Sequence, residues 1–528
     1  MVNKEPSYHW ADLIAERIIR ERGKKAKYVC AAGITPSGTI HIGNFREIIT
    51  VDLVCRALKD KKKKVRFIYS WDDYDRLRKI PKNMPKQEIL QKYLGKPVID
   101  TPDTFGCHKS YAEHMEKEVE DVLPFVGVFP EFLYQSKKYR ACEYAEMIKH
   151  VLNRKEMIRE ILNEYRKEPL PKNWYPLSVF CEKCGTDNTR VVDYDGNYIV
   201  SYECDCGFSD KIDFRKKGIV KVPWRIDWPM RWHFEKVDFE PGGKEHSTPG
   251  GSRTTAKEII EQVFKSKAPV YQMYDFIIVK GQGGKMSSSL GNVITLKDCL
   301  EVYGPEIIRH LFASTKPNRE FFISFDLDVL KVYEDYDKTE RIYFDESLIE
   351  NRKKYLKELR IYELSQIDEV PKKLPLQIPF RHLTNLVQVH EGDVKKVMEE
   401  YKTFIKTDFD KKRLQIRALC AWNWINKYAP EDMKFKVHDK ISKAVKEKLS
   451  KDQKKAIKLL VGKLKKNKYD ESSLFEEFYN ICQELKIDNK LFFKGVYLAL
   501  IGKERGPKLA GFILTLGIKK VVKLLEKV

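Results

Sequence analysis

One short segment near the N-terminus of this 528-residue chain most constrains its fold. The apolar run Tyr28–Ala32 ends at Gly33, and apolar residues then recur at helical spacing from about His41 to Leu58. A second apolar run, Val65–Ser70, follows that helix. Strand, turn, helix and strand of these lengths are typical of a βαβ unit, so we predict an α/β protein with a parallel sheet.

The spacing of apolar residues divides the rest of the chain into regions. Helical stretches at Tyr111–Leu123 and Glu143–Tyr165 alternate with cysteine-rich turns, and the sheet then resumes with a helix at Thr254–Lys265 and a strand at Tyr271–Val279. We therefore predict a Rossmann-like catalytic domain whose halves are 1–80 and 223–322, split by an insertion (81–222) and followed by an all-α region (323–528).

The charge of the chain favours a polyanionic partner. Its 99 Lys and Arg against 77 Asp and Glu leave a formal net charge of +22, and each phosphate that such a protein neutralises releases counterions. A Lys/Glu-rich surface that serves solubility or heat stability would give the same balance. The longest apolar runs reach about half a membrane span and no signal peptide is visible, so we expect a cytoplasmic protein without a membrane partner.

The turn between the first strand and its helix carries the sharpest motif. Ligands of open α/β sheets bind at this edge, and helix N-termini attract phosphates. Small residues let a nucleotide approach the backbone, and His41 could donate a hydrogen bond to a phosphate. An ordinary capped turn would contain similar residues. The turn reads Thr35-Pro36-Ser37-Gly38-Thr39-Ile40-His41-Ile42-Gly43-Asn44.

A second motif lies far downstream, at residues 281–292, where Lys285 stands among glycines and serines. Such a loop can close over a triphosphate and neutralise charge on a departing pyrophosphate. A flexible linker has the same composition.

Together and in this order, the two motifs resemble the "HIGH" and "KMSKS" signatures of class I aminoacyl-tRNA synthetases. They stand here as His41-Ile42-Gly43-Asn44 and Lys285-Met286-Ser287-Ser288-Ser289, with Asn44 in place of the second His and Ser288 in place of the second Lys. Over nearly the whole chain, the resemblance narrows to class I lysyl-tRNA synthetases. The segments that carry it are GITPSGTIHIGNFRE, SWDDYDRLRK, DTFGCHKSYAEH, WRIDWPMRW, FEPGGKEH, GQGGKMSSSLGN and IGKERGPKLA.

This resemblance implies an enzyme that activates lysine with ATP and Mg²⁺ and transfers it to the 3′ end of tRNA(Lys). It implies His41, Asn44 and Lys285 as catalytic residues. The residues expected at ATP are Pro36, Ser37, Gly38, His41, Gly43, Asn44, Glu245, Lys285, Met286, Ser287, Ser288 and Ser289. The family's amino-acid pocket maps onto Gly33, Thr35, Trp224, His246 and Tyr274.

A lysine substrate also needs a carboxylate for its ammonium group. Asp72, Asp73 and Asp75 follow the second strand, at the edge where such sheets bind ligands, and we take Asp72 as the lysine-binding carboxylate. The aromatic residues of this pocket could equally be ordinary core residues.

Two clusters have the composition of metal sites. Cys181 and Cys184, followed by Cys204 and Cys206, are typical of a tetrahedral zinc ribbon, with free thiols or a lost site as the alternative. Asp103, Cys107, His108 and His114 could complete a second tetrahedron or be surface polar residues. The resemblance implies zinc in the insertion, and four protein ligands at each cluster predict two structural sites.

The C-terminal helices are expected to bind the tRNA anticodon, because the resemblance implies a helical anticodon-binding cage. Trp422 and Trp424, with Arg417 and Lys427, could stack bases and hold phosphates, or the tryptophans could lie in a helical core.

Three other functions stay open. In a class I synthetase for glutamate or glutamine, Arg46, Arg225 or Arg231 would face the substrate side chain. A non-enzymatic zinc-ribbon protein that binds RNA would explain the charge and the cysteines, and a nucleotidyltransferase would explain the first motif. No obligate protein partner is evident, and the oligomeric state is open.

Overall fold

The structure, a computed structural model, describes residues 7–280 and 293–528. These residues form two compact units. The first unit comprises the described parts of Met1–Cys299, Pro305–Ile323 and Thr339–Val370, and the second comprises Leu300–Gly304, Ser324–Lys338 and Pro371–Val528. Thr339–Val370, predicted with the C-terminal region, thus lies in the first unit.

The strands lie in the first unit. They are β1 Tyr28–Ile34, β2 Val65–Trp71, β3 Glu131–Tyr134, β4 Ser178–Val179, β5 Thr189–Tyr194, β6 Ile199–Cys204, β7 Ser209–Asp213, β8 Val220–Lys221, β9 Phe239–Gly243, β10 Val270–Tyr274, β11 Ile277–Val279 and β12 Phe321–Ile323.

The helices occur along the whole described chain. They are α1 Trp10–Arg22, α2 Ile42–Asp60, α3 Gln87–Gln91, α4 Tyr111–Glu120, α5 Gln135–Arg140, α6 Ala145–Leu152, α7 Lys155–Asn163, α8 Trp224–Glu235, α9 Ser252–Gln262, α10 Leu296–Leu300, α11 Pro305–Ser314, α12 Asp328–Phe344, α13 Arg352–Ser365, α14 Phe380–Val389, α15 Val394–Glu400, α16 Asp408–Lys427, α17 Lys443–Lys448, α18 Lys451–Lys466, α19 Glu471–Leu485, α20 Asn489–Ile501, α21 Leu509–Leu516 and α22 Ile518–Leu525.

A five-stranded sheet forms the centre of the first unit, with strand order β10-β9-β1-β2-β3. Every pairing in it is parallel. Residues 28–32 of β1 are buried, as expected for a parallel strand covered on both faces. The carboxyl ends of β1 and β2 lie side by side, with Gly33 opposite Ser70 and Ile34 opposite Trp71. The predicted α/β fold with a parallel sheet is confirmed.

Two predicted elements were wrong in detail. The strand expected over Tyr271–Val279 is two strands, because β10 pairs in the central sheet whereas β11 pairs with β12. The backbone carbonyls of Asp275 and Phe276, between them, accept hydrogen bonds from the Arg46 guanidinium at 2.7 and 2.9 Å instead of continuing a strand. The helix expected over Glu143–Tyr165 is likewise two, α6 and α7.

The insertion carries a small antiparallel sheet of its own, with strand order β5-β6-β7. Val200, Tyr202 and Ile212, on its inner face, are buried in the same apolar cluster as Phe180 and Phe214. The cysteine-bearing turns lie at one end of this sheet, because Cys204 is the last residue of β6.

The second unit is helical throughout, as predicted for the C-terminal region. Its core is built by apolar residues from several helices, such as Leu460 of α18, Phe478 of α19, Phe492 of α20 and Ile513 of α21. None of the helices formed by residues 7–280 and 293–528 is long and apolar enough to cross a membrane.

Candidate active site

A cleft of about 850 Å³ opens at the carboxyl ends of the parallel strands, the edge where such sheets bind ligands. It brings together most of the residues predicted for the two substrates. The predicted residues that line it are Gly33, Thr35, Ser37, His41, Gly43, Asn44, Asp72, Trp224, Glu245, His246 and Tyr274. Pro36 and Gly38 belong to the same turn but do not line the cleft. Lys285, Met286, Ser287, Ser288 and Ser289 lie outside the described residues.

His41 is the N-cap of α2. Its Nδ1 accepts the Gly43 N–H at 3.1 Å, and the Asn44 side-chain oxygen accepts the His41 N–H at 3.1 Å. Because Nδ1 is the acceptor, the proton of the neutral ring lies on Nε2, which is therefore a hydrogen-bond donor. The positive end of the helix dipole lies at the same place. This end of the cleft is suited to a phosphate group.

Backbone and hydroxyl groups shape the predicted amino-acid pocket. The Gly33 N–H donates to Glu47 Oε1 at 3.0 Å, and the Tyr274 hydroxyl donates to Glu47 Oε2 at 2.6 Å. Trp224 stacks on Trp228, with ring centres 5.0 Å apart. The pocket therefore offers an aromatic face and a carboxylate, the features that a lysine side chain requires.

The predicted lysine-binding carboxylate already has a cation. Asp72 is buried and forms an ion pair with the Arg231 guanidinium at 2.6 Å, and Arg231 also contacts Asp227 at 3.1 Å. Burial raises the pKa of Asp72, and the charge of Arg231 opposes that rise. Asp73 accepts the Ser136 N–H at 2.8 Å, and Asp75 lies 3.3 Å from Lys221. Each of these three aspartates is therefore engaged by a residue from another segment of the chain.

The three arginines that a glutamate pocket would use are also engaged. Arg46 is buried and donates to backbone carbonyls that follow β10. Arg225 donates to the Gly250 carbonyl at 3.1 Å, and Arg231 pairs with Asp72. None of these three guanidinium groups lines the cleft in the described part of the chain.

Several residues that line or support the cleft were not predicted. Arg76, Arg78 and Lys79 line it after β2, and Arg78 and Lys79 are exposed. The sequence could have indicated these three residues, because residues that follow a parallel strand lie at the edge where such sheets bind ligands. Glu47 was also missed, although it stands three residues after Asn44 and so shares its helix face.

The four cysteines of the predicted ribbon converge. Their sulfur atoms all lie within 4.8 Å of one another, with Cys181 Sγ 3.7 Å from Cys206 Sγ and Cys184 Sγ 3.6 Å from Cys204 Sγ. Zinc–sulfur bonds of about 2.3 Å in a tetrahedron place sulfurs about 3.8 Å apart. The cluster therefore fits a tetrahedral zinc ion.

The second predicted cluster converges as well. Cys107 Sγ lies 3.1 Å from Nδ1 of both His108 and His114, and Asp103 Oδ1 lies 3.7 Å from His114 Nδ1. Glu118 lies 3.5 Å from the other ring nitrogen of His114, where an outer carboxylate orients a metal-bound histidine. This donor set also fits zinc.

The aromatic residues predicted to read the anticodon do not form an exposed platform. Trp424 is buried and donates from its indole N–H to the Phe325 carbonyl at 2.9 Å. Arg417 is buried in an ion pair with Asp337 at 2.6 Å. For these two residues the structure supports the alternative that they belong to a helical core, and not the hypothesis that they contact tRNA.

A parallel sheet with a cleft at its carboxyl edge, a capped helix N-terminus and nearby cationic side chains defines the class of nucleotide-binding α/β enzymes. The family model for "tRNA synthetases class I (K)" matches residues 8–368. A model for an "Anticodon binding domain" matches residues 427–528. The chain belongs to the class I (K) tRNA synthetase family, which confirms the resemblance seen in its motifs.

Relatives named "Lysine--tRNA ligase" match nearly the full chain. The protein of Borrelia garinii subsp. bavariensis is 52% identical over 522 residues, covering 98% of this chain and 99% of its own. That of Treponema pallidum is 45% identical, covering 99% of both chains. That of Pyrococcus horikoshii is 43% identical, covering 98% of this chain and 99% of its own.

Proposed function

We propose that this protein is a lysine–tRNA ligase, which activates lysine with ATP and transfers it to the 3′ end of tRNA(Lys) in the cytoplasm. The observation that carries the proposal is the juxtaposition in one cleft of a phosphate-binding helix end, at His41, and an aromatic, acidic amino-acid pocket, at Tyr274 and Trp224. The relatives of the same name support it.

In the first step the ionised carboxylate of lysine attacks the α-phosphate of ATP, forming a C–O–P linkage while the bond to pyrophosphate breaks. The carboxylate is already nucleophilic, so no protein base is needed and catalysis is positioning plus stabilisation of charge. In the second step a ribose hydroxyl of the terminal tRNA adenosine attacks the mixed anhydride, and AMP leaves.

His41 would donate from Nε2 to the triphosphate, and the amide NH₂ of Asn44 would donate beside it. Arg78 and Lys79, on the wall after β2, would balance phosphate charge. ATP would carry Mg²⁺, which would neutralise part of the phosphate charge. Lys285, in the second motif, stays a predicted partner of the departing pyrophosphate.

Pyrophosphate exchange into ATP, measured with each amino acid in turn, tests the proposal. We expect exchange with lysine and none above background with glutamate or glutamine. Exchange that depended on glutamate would contradict the lysine assignment. Binding of tRNA without any exchange would instead favour the non-enzymatic RNA-binding alternative.

A lysine-rich helix face would provide part of the tRNA contact. Lys451, Lys455 and Lys458 lie on one face of α18, inside the region matched by the anticodon-binding model, and are exposed. Among the residues that the structure describes, no carboxylate forms an ion pair with them. Basic side chains without internal partners are available to phosphates.

Replacing Lys451, Lys455 and Lys458 together by alanine is expected to weaken tRNA binding. It should also reduce the slope of log Kd against log salt by about three, one for each lost phosphate contact. Fluorescence binding across a salt series measures both quantities, and pyrophosphate exchange should be unchanged. The control is Lys402→Ala, which removes a lysine already 3.0 Å from Glu399. An unchanged salt slope in the triple variant would exclude this helix face.

A further inference from the structure

We propose that residues 76–96, the basic wall, bind the phosphates of the unpaired 3′ strand of tRNA and guide its last nucleotide into the cleft. The proposal rests on the proposed function. It concerns a surface that belongs to neither motif and to neither cysteine-bearing cluster, and the two-step reaction above uses only the end of it that lines the cleft.

The basic wall concentrates positive charge in a short segment. It contains seven basic residues against one acidic residue, Glu88, an excess of six within a chain whose net charge is +22. The seven are Arg76, Arg78, Lys79, Lys82, Lys86, Lys92 and Lys96. Like charges held this close repel one another, and a polyanion that neutralises them releases counterions.

Most of these charges have no internal partner. Arg76 forms an ion pair with Asp187 at 2.9 Å. Within residues 7–280 and 293–528 no carboxylate forms an ion pair with the five basic residues from 78 to 92. These five residues, which are Arg78, Lys79, Lys82, Lys86 and Lys92, are exposed. They are therefore available to an external anion.

A small apolar core holds the basic wall in place. Leu77, Met84 and Leu90 are buried together in one hydrophobic cluster. The Leu77 N–H donates to the Lys96 carbonyl at 2.8 Å, and the Gly95 N–H donates to the Leu77 carbonyl at 2.9 Å, so the two ends of the segment are joined. A surface that is already ordered loses little conformational entropy when it binds a ligand.

The location of the basic wall identifies the kind of polyanion. Its first residues, Arg76 to Lys79, line the cleft. Further along, the Asn83 side-chain amide donates to the Thr39 hydroxyl, in the turn before α2, at 3.1 Å. Lys86 and Lys92 do not line the cleft. ATP within the cleft would use only the first part of this surface, whereas a strand whose terminal ribose reacts in the cleft would place its preceding phosphates along the rest.

A second lysine-rich run shows why location matters. Lys59–Lys64 is as basic as this segment, but β2 begins directly after it, at Val65. The run therefore lies at the amino edge of the parallel sheet, opposite the cleft. Lys61 in this run is already paired with Glu16, at 2.7 Å. Such a run is typical of a solvated helix end.

The test uses two RNA hairpins that reproduce the acceptor stem, one with the unpaired 3′ strand and one blunt. The full-length variant carries Lys82→Gln, Lys86→Gln and Lys92→Gln. We expect its Kd for the tailed hairpin to rise about tenfold at about 100 mM salt, and the slope of log Kd against log salt to fall by about two. The Kd for the blunt hairpin should change less than about threefold.

Catalysis provides a second measurement. The KM for tRNA in aminoacylation should rise by about the same factor as the Kd for the tailed hairpin. Lysine-dependent pyrophosphate exchange at saturating tRNA should be unchanged, because the variant leaves the cleft intact. The matched control replaces Lys27, Lys59 and Lys64 by glutamine. These lysines are exposed at the amino edge of the sheet, and their loss should alter none of the three quantities.

Equal losses of affinity for the two hairpins would overturn the inference, since the basic wall would then attract any RNA. An unchanged salt slope, or an equal effect in the control variant, would overturn it as well. Absence of lysine-dependent exchange in the unmodified enzyme would overturn the proposed function and this inference with it. Normal exchange in that enzyme, with an unchanged KM for tRNA in the triple variant, would overturn the inference alone.

Discussion

Replacing His41 with asparagine is expected to lower the rate of lysine-dependent pyrophosphate exchange about a hundred- to a thousandfold, with little loss of stability. Loss of one positioned donor to developing charge has an effect of that size. Asparagine cannot place a donor where the imidazole Nε2 lies, although it is among the best N-cap residues. Its side-chain oxygen can accept the Gly43 N–H that His41 Nδ1 accepts now.

His41→Ala separates the two roles of this residue. It removes the donor and the cap together, so exchange should fall as far as in His41→Asn while the free energy of unfolding also falls by about 1 kcal/mol. Steady-state exchange and chemical denaturation, on the same preparations, measure the two effects. If His41→Asn exchanged at nearly the unmodified rate, His41 would serve α2 as a cap and would not stabilise the triphosphate.

Local patterns predicted the parts of this molecule that depend on neighbours in sequence. Buried strands, the turn before α2 and the pairing of close cysteines follow from periodicity and short spacing, and the structure contains all of them. The predicted residues on β1, α2 and β10 lie together in the cleft for a related reason. In a parallel sheet every strand ends at the same edge, so residues that follow strands meet there.

Contacts between segments that are distant in the sequence could not be predicted from such local patterns. The sequence presents Asp72 as an available carboxylate, and only the approach of α8 to β2 shows that Arg231 occupies it. Trp424 looked suited to RNA because aromatic and basic residues alternate around it, but its helix turns that face into a core. Glu47 was overlooked for the same reason, because its contacts with Gly33 and Tyr274 join segments that are separated in the sequence.

Replacing Cys184 with serine is expected to lower the zinc content of the purified protein from two ions to one per chain. A hydroxyl is a poor zinc ligand at neutral pH, and structural zinc sites bind with about 10 kcal/mol or more. Metal analysis measures the zinc content. The site at Asp103 and His114 should keep its ion, because its ligands come from a separate segment.

Loss of the ribbon ion should loosen the turns that hold the cysteines without unfolding the first unit. The β5–β7 sheet stays anchored through buried residues such as Val200 and Ile212, whereas the turns at Cys184 and Cys206 are less covered. Limited proteolysis of these turns should become about tenfold faster, equivalent to about 1.4 kcal/mol of local stability.

The control for the ribbon variant is Cys142→Ser, which changes a thiol outside both clusters and should alter neither zinc content nor proteolysis. An unmodified protein that carried no zinc when purified without chelators would contradict the assignment of metal to these clusters. Two ions retained by Cys184→Ser would contradict the prediction that the ribbon needs the Cys184 thiolate to hold its ion.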